Sequence, residues 1–311
     1  ISCRCGGIGR RKGLKIPRWQ HRAGSSPAIG TNRKTRICIG FIVLFRAILY
    51  FCLCCLLSFG TGVFMKGSLE ACVDSYASAN SAVSAGADRL ELCSHLVIGG
   101  ATPSHALFNM ITDNFDIPVR VLIRPRYGDF LYSLRELDEM EEEILFFKDA
   151  GAEGIVTGVL TSEGDVDVYA MKRLVKAAGS MKITLHRAFD MCRDPFDALN
   201  KAIGTGCSSI LTSGQASAAL KGVSLLAELN KAAQGKTEII AGGGINSGNI
   251  RKIHSLTGIT VFHASCSRIE KSLMDHINPN VNMGLPQFSE YEKILTDEKE
   301  MRLCVETVHS L

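Results

Sequence analysis

From residue 65 onward the sequence predicts an eight-stranded parallel (β/α)8 barrel of the TIM type, on three observations. Short apolar, β-prone runs alternate eight times with alanine-rich or charged amphipathic stretches. Gly86, Gly151, Gly206 and Gly258 each fall where a helix should end, just ahead of the next strand, and glycine accepts the left-handed conformation that closes a helix. No G-x-G-x-x-G follows the first strand, which argues against a doubly wound open sheet. Eight βα units also fit the roughly 250 residues typical of a closed barrel.

In chain order, the expected strands are 69–74, 89–94, 118–126, 154–160, 182–190, 209–214, 237–244 and 260–266. Helical patterns fill the gaps at 76–85, 137–150, 168–178 and 216–233, and Asp194-Pro195 opens another. No ninth strand is expected after Cys266. The Asn- and Pro-containing segment 278–286 reads as a loop, and 289–308 as one or two charged terminal helices.

The first 64 residues differ in kind: they hold eleven Lys and Arg and no Asp or Glu, a formal +11. The remainder carries 24 basic against 31 acidic residues, a formal −7, so the overall +4 gives no reason to expect nucleic acid. The segment 37–64 is apolar and long enough to span a bilayer, interrupted by Arg46. It reads either as a signal anchor or as translated sequence upstream of Met65, the first methionine, and the second reading is preferred. No membrane partner is then expected. The six cysteines of the body, Cys72, Cys93, Cys192, Cys207, Cys266 and Cys304, show neither zinc-finger spacing nor a compact disulfide framework, which points to a reducing compartment.

Side chains alternate across a strand, so each strand divides into two faces. Leu69, Ala71 and Val73 suit the helix-covered face, because a carboxylate there would lose its hydration without compensation. Glu70 and Cys72 therefore point inward, as do Glu91 and Cys93 on the second strand. Arg124 and Arg126 share a face of the third. Thr184, His186 and Asp190 share one on the fifth with Arg187 opposite, and Val261, His263 and Ser265 share one on the eighth. Glu70, Glu91, Arg124, His186, Asp190 and His263 are thus candidate catalytic groups, since perturbed ionisable groups gather at working sites. Glu70 and Glu91 could equally pair with Arg124 for purely structural reasons. Gly242, Gly243 and Gly244 end the seventh strand, where backbone N–H groups can approach an anion and Ser265 could add a hydroxyl.

Several stretches resemble the CutC copper homeostasis family. They are Leu69-Glu70-Ala71-Cys72-Val73-Asp74-Ser75, Gly86-Ala87-Asp88-Arg89-Leu90-Glu91-Leu92-Cys93, Gly99-Gly100-Ala101-Thr102-Pro103-Ser104, Ile123-Arg124-Pro125-Arg126-Tyr127-Gly128-Asp129-Phe130, His186-Arg187-Ala188-Phe189-Asp190 and Ile210-Leu211-Thr212-Ser213-Gly214. The resemblance covers nearly all of the body and none of the first 64 residues. It departs from the family at Ile98, where glutamate is usual, at Tyr127, where glycine is usual, and at Arg268, one position beyond an arginine of some relatives. It implies a cytoplasmic (β/α)8 barrel, commonly homo-oligomeric, linked to copper homeostasis and to Cu(I) binding in some members. It also singles out Cys72 and Cys93 as the copper ligands. Soft Cu(I) favours thiolates, and these two sit on consecutive inward faces of strands about 4.8 Å apart. The alternative is an enzyme acting by acid/base chemistry on a small phosphorylated or carboxylated substrate, with Glu70, Glu91 or His186 as base.

Overall fold

Eight strands pair in parallel in sequence order, and the first closes on the last. The computed structural model describes residues 67–311 except 282 and 285–287. The strands are β1 (Ser68–Val73), β2 (Arg89–Leu92), β3 (Val119–Leu122), β4 (Gly154–Thr157), β5 (Lys182–Leu185), β6 (Ser209–Thr212), β7 (Glu238–Gly242) and β8 (Val261–Ala264). Around them lie α1 (Tyr76–Ala85), α2 (His105–Asn114), α3 (Leu134–Asp149), α4 (Val168–Ala178), α5 (Pro195–Thr205), α6 (Val223–Ala233), α7 (Ile250–Thr257) and α8 (Glu298–His309). The basic segment 1–64 and its apolar stretch 37–64 lie outside the described residues. Among the described residues, no helix is long and apolar enough to cross a membrane.

The strand alternation sorts as expected. Leu69, Ala71, Val73, Leu90, Leu92, Val121, Ile155, Leu185 and Ile210 are fully buried between barrel and helices. Each such aliphatic side chain larger than alanine contributes about 1.5–3 kcal/mol relative to exposure. Hydroxyls and carboxylates start the helices: Ser75 caps α1, Ser104 caps α2, Asp167 caps α4 and Asp194 caps α5. Gly86, Gly151, Gly206 and Gly258 all take left-handed backbone conformations, at φ of 89°, 89°, 94° and 70°.

Four local expectations are corrected. First, α3 begins at Leu134, three residues before 137, because Ser133 and Glu136 form a reciprocal capping box. Second, α6 begins at Val223 and not at 216. Residues before it fold back as a turn, with Ala219 N–H donating to Gly243 O and Gly222 N–H to Ala218 O. Third, β3 and β5 stop at Leu122 and Leu185, short of 126 and 190, and a 3-10 turn, Arg187–Met191, follows β5. Fourth, a ninth and a tenth strand exist. β9 (Ser267–Lys271) and β10 (Glu292–Thr296) form an antiparallel ribbon inserted between β8 and α8. Their side chains are mostly exposed and charged, and their pairing is non-local, so neither carries a buried-face pattern. Helix α8 completes the ring, packing on α1 and β1 through Met301, Cys304, Val305 and Val308.

Candidate functional site

Register decides which inward side chains meet. Cys72 pairs with Glu91 across β1 and β2, and Glu70 pairs with His263 across β1 and β8. Cys72 Sγ lies 3.7 Å from Glu91 Oε1. His263 Nδ1 donates to Glu70 Oε1 at 2.8 Å and lies 3.8 Å from Glu91 Oε2. Cys72, Glu91 and His263 thereby offer three ligand atoms all within 4.8 Å of one another. Cys93 joins Cys72, Leu122 and Val156 in a small buried cluster, its thiol donating to Val73 O at 3.5 Å. Gly100 makes room for it: a Cβ there would meet Leu122 at 2.7 Å and Cys93 at 3.6 Å.

The charges on this arc are set by burial and by each other. Burial pushes Glu70 upward, but the His263 hydrogen bond and the Arg89 guanidinium outweigh it and hold the carboxyl at about 2. Burial raises Glu91 to about 7 against the pull of His263, with Glu70 adding to the rise. His263 loses hydration yet is held well above the usual imidazole range by Glu91, Cys72 and Glu70. The neighbouring Cys93 thiol, then burial, push the Cys72 thiol upward.

A cavity of about 160 Å³ opens at the carboxyl ends of the strands. Cys72, Glu91, Cys93 and His263 line one arc of it, and Arg124, Phe130, His186 and Arg187 line another, with Leu96, Leu122 and Leu211 between. Arg124 is buried, and its guanidinium donates to Gly99 O at 3.1 Å, Gly100 O at 3.0 Å and Gly128 O at 2.9 Å. It lies over the Phe130 ring, 5.0 Å from the centroid, and the same ring sits 4.8 Å from that of His186. A larger groove of about 610 Å³ beside the ribbon is walled by Val97, Ile98, Ile269, Phe288 and Ile294. It gathers few ionisable groups.

His186 caps the turn that follows β5: Ala188 N–H donates to Nδ1 at 3.1 Å. That bond assigns the ring proton to Nε2, which has no partner. Burial, then the Arg124 charge, lower its pKa from 6.5 to about 3. The unfolded chain binds this proton first, so the contribution is complete above pH 6.5 and falls as pH drops through the window from 6.5 to about 3. Between about pH 7 and pH 5 the loss is roughly 2 kcal/mol. His186→Asn keeps an acceptor for Ala188 N–H and cannot titrate, so it should flatten that part of the acid limb. Thermal melts at the two pH values read the difference, and equal slopes in both proteins would exclude it.

Of the expected site residues, Cys72, Glu91, Cys93, Arg124, His186 and His263 come together on one cavity. Glu70 lies buried beside it, holding His263 and Arg89 rather than Arg124. Glu91 likewise has no bond to Arg124; its Oε2 is left unpartnered. Arg126 leaves the barrel to meet Glu136 and Asp129. Asp190 is not on a strand and does not line the cavity; it accepts bonds from Arg187, Thr212, Ser213 and Gln215. Gly242, Gly243, Gly244 and Ser265 also lie off the cavity lining. Gly243 packs on Ser213 and the Arg187 guanidinium, and Ser265 Oγ reaches Ser267 Oγ at 3.5 Å.

Arg89, Arg120 and Phe130 contribute without having been assigned a role from the sequence, and Arg187, expected on the face opposite His186, lines the same cavity. Arg89 shares a face with Glu91, and Arg120 shares one with Arg124, so alternation extended toward the strand starts would have found both. Arg120 fills the barrel interior, donating to Glu153, Thr184 Oγ1 and Ser209 Oγ at 2.8, 3.0 and 3.1 Å. Arg187 and Phe130 reach the cavity from segments beyond the strands, where alternation gives no signal.

Comparison with known proteins agrees with this architecture. The CutC family model matches residues 67–268. A CutC family protein of Parabacteroides distasonis is 44% identical over 245 residues, covering 78% of this chain and 100% of the relative. One from Chromobacterium violaceum is 40% identical over 244 residues, covering 78% of this chain and 99% of the relative. Among solved structures, the provisionally designated copper homeostasis protein CutC of Streptococcus agalactiae superposes with a TM-score of 0.62 at 29% identity, covering 64% of this chain and 98% of that one.

Proposed function

The chain belongs to the CutC family, and from that premise we propose that it serves copper homeostasis by binding Cu(I) at the barrel mouth, with Cys72 and Cys93 as the thiolate ligands. The observation that carries this reading is the position of Cys72. Its sulfur stands with a His263 nitrogen and a Glu91 oxygen within 4.8 Å of one another, and the Cys93 thiol lies beside it. Cu(I) is soft and needs only two or three ligands, which two sulfurs and one imidazole satisfy. The His263 Nδ1 bond to Glu70 leaves Nε2 as the ring's other nitrogen, and a carboxylate behind a metal-binding histidine is the usual way to orient such a ring. The unpartnered Glu91 Oε2 marks a polar position that a bound cation would satisfy.

Anaerobic titration of the full chain with Cu(I) against a competing chelator tests the assignment, beside Cys72→Ala and Cys93→Ala. Loss of an outer partner typically costs about 10–100-fold in metal affinity, so loss of a ligand should cost at least about a hundredfold. Unchanged tight binding in both variants would sink the assigned site. We also propose a cytoplasmic homo-oligomer. The family resemblance supports both parts, and the exposed apolar side chains of Ile269, Leu273, Met274 and Ile277 support the assembly. Light scattering on the purified chain reads the assembly, and a monomer at all concentrations would exclude it.

A further inference from the structure

The cavity has more chemistry than a thiol site requires. Strands β8, β1 and β2 are neighbours and supply the sulfur and carboxylate arc, whereas the other arc comes from β3, β5 and the segments that follow them. On that second arc Arg124 carries a charge with no carboxylate within ion-pair distance among the described residues; its hydrogen bonds go to carbonyl oxygens, with the Phe130 ring and Tyr132 beside it. Carbonyls solvate a guanidinium without neutralising it, and a buried charge left so costs several kcal/mol. Arg124 Nε is without a partner, and so is His186 Nε2, a neutral N–H donor fixed by the Ala188 bond. Arg187, by contrast, is already paired with Asp190 and bonded to Ser213.

We propose that this arc binds a small monocarboxylate with a short apolar body, its oxygens meeting Arg124 and His186 and its carbons lying against Phe130, Leu122 and Leu211. One unneutralised cation and one neutral donor match a single negative charge. A phosphate dianion would need a second free cation or a backbone N–H cradle, and Arg187 and the Gly242–Gly244 turn are both otherwise placed. The volume of about 160 Å³ is close to that of an apolar cavity of about 150 Å³ that takes up one benzene, which suits a small body of about three to six carbons. This inference goes beyond the copper reading and does not rest on it, because no ligand of the thiol arc takes part.

The test uses the metal-free full chain, with propionate, lactate and inorganic phosphate as probes. Ring-¹⁵N spectra of His186 are followed during each titration, and affinities are taken from calorimetry. The expected result is saturable binding of a carboxylate with a shift of the His186 Nε2 resonance, none with phosphate, and at least tenfold weaker binding by His186→Asn. Saturable carboxylate binding by the wild-type chain with no Cu(I) present separates this site from the copper site. No saturable carboxylate binding, or binding that leaves the Nε2 resonance unmoved, overturns the proposal, and so does a preference for phosphate. The resonance is read on the wild-type chain, so the outcome stands even if His186→Asn folds poorly.

Discussion

Asp190→Ala should lower the stability of the barrel by about 2–6 kcal/mol, the cost of leaving two buried backbone amides unpaired at roughly 1–3 kcal/mol each. The Asp190 side chain is only 7% exposed. Its Oδ1 accepts from Thr212 Oγ1, Ser213 N at 3.1 Å and Gln215 N at 3.2 Å, and its Oδ2 from Ser213 Oγ at 2.9 Å and Arg187 Nε at 2.7 Å. Arg187 is 44% exposed and can turn to water, so the cost falls mainly on the Ser213 and Gln215 amides. Gln215 adds to it, since its left-handed backbone, at φ 53°, is held in place by these bonds. Asp190→Asn should cost less than alanine because the amide keeps one acceptor oxygen, but more than nothing because its N–H groups then face donors on the other side. Urea denaturation midpoints near neutral pH read both variants. A variant as stable as wild type that lost ligand binding would instead return Asp190 to the site.

This residue also shows where strand reasoning stops. Reading 182–190 as one strand places Asp190 beside His186. The strand ends at Leu185 because His186 accepts from Ala188 N–H and starts a 3-10 turn. Side-chain capping by histidine leaves little trace in apolar periodicity, so the face assignment fails within one residue of the change. The same holds at Arg126, which is past the end of β3 and turns outward to Glu136. Where backbone pairing persists, the faces are right: Glu70, Cys72, Glu91 and His263 all point inward.

The barrel itself was legible because parallel strands buried on both faces and glycine-terminated helices leave local marks. The ribbon of β9 and β10 left none, since its stability comes from pairing Ser267 with Thr296 and Arg268 with Leu295 across a long intervening loop. Site composition was legible from alternation, but partner choice was not. Glu70 could be assigned to Arg124 or Arg89 only once the β1–β2 register placed it opposite Arg89. His263 required closure of β8 onto β1, a contact between residues nearly two hundred positions apart.

Glu70→Leu provides the second large effect. Glu70 is fully buried, bound to the Arg89 guanidinium on one side and His263 Nδ1 on the other. Leucine fills similar space but leaves Arg89 without a counter-charge in the interior, where Arg89 Nη2 is already unpartnered. The expected loss is about 3–5 kcal/mol. Removing the guanidinium as well distinguishes repulsion of a stranded charge from loss of packing. Glu70→Leu combined with Arg89→Met should recover about 2 kcal/mol or more of the single-variant loss, because apolar replacement of a whole buried pair is often neutral. Denaturant midpoints for the four members of this cycle supply the coupling. A general base at this position would need a carboxylate oxygen free to take a proton. The ion pair and the His263 bond occupy both carboxylate oxygens, so the large stability loss is the outcome the geometry requires. Orientation of the His263 ring toward the thiols then follows as a consequence of that buried pair.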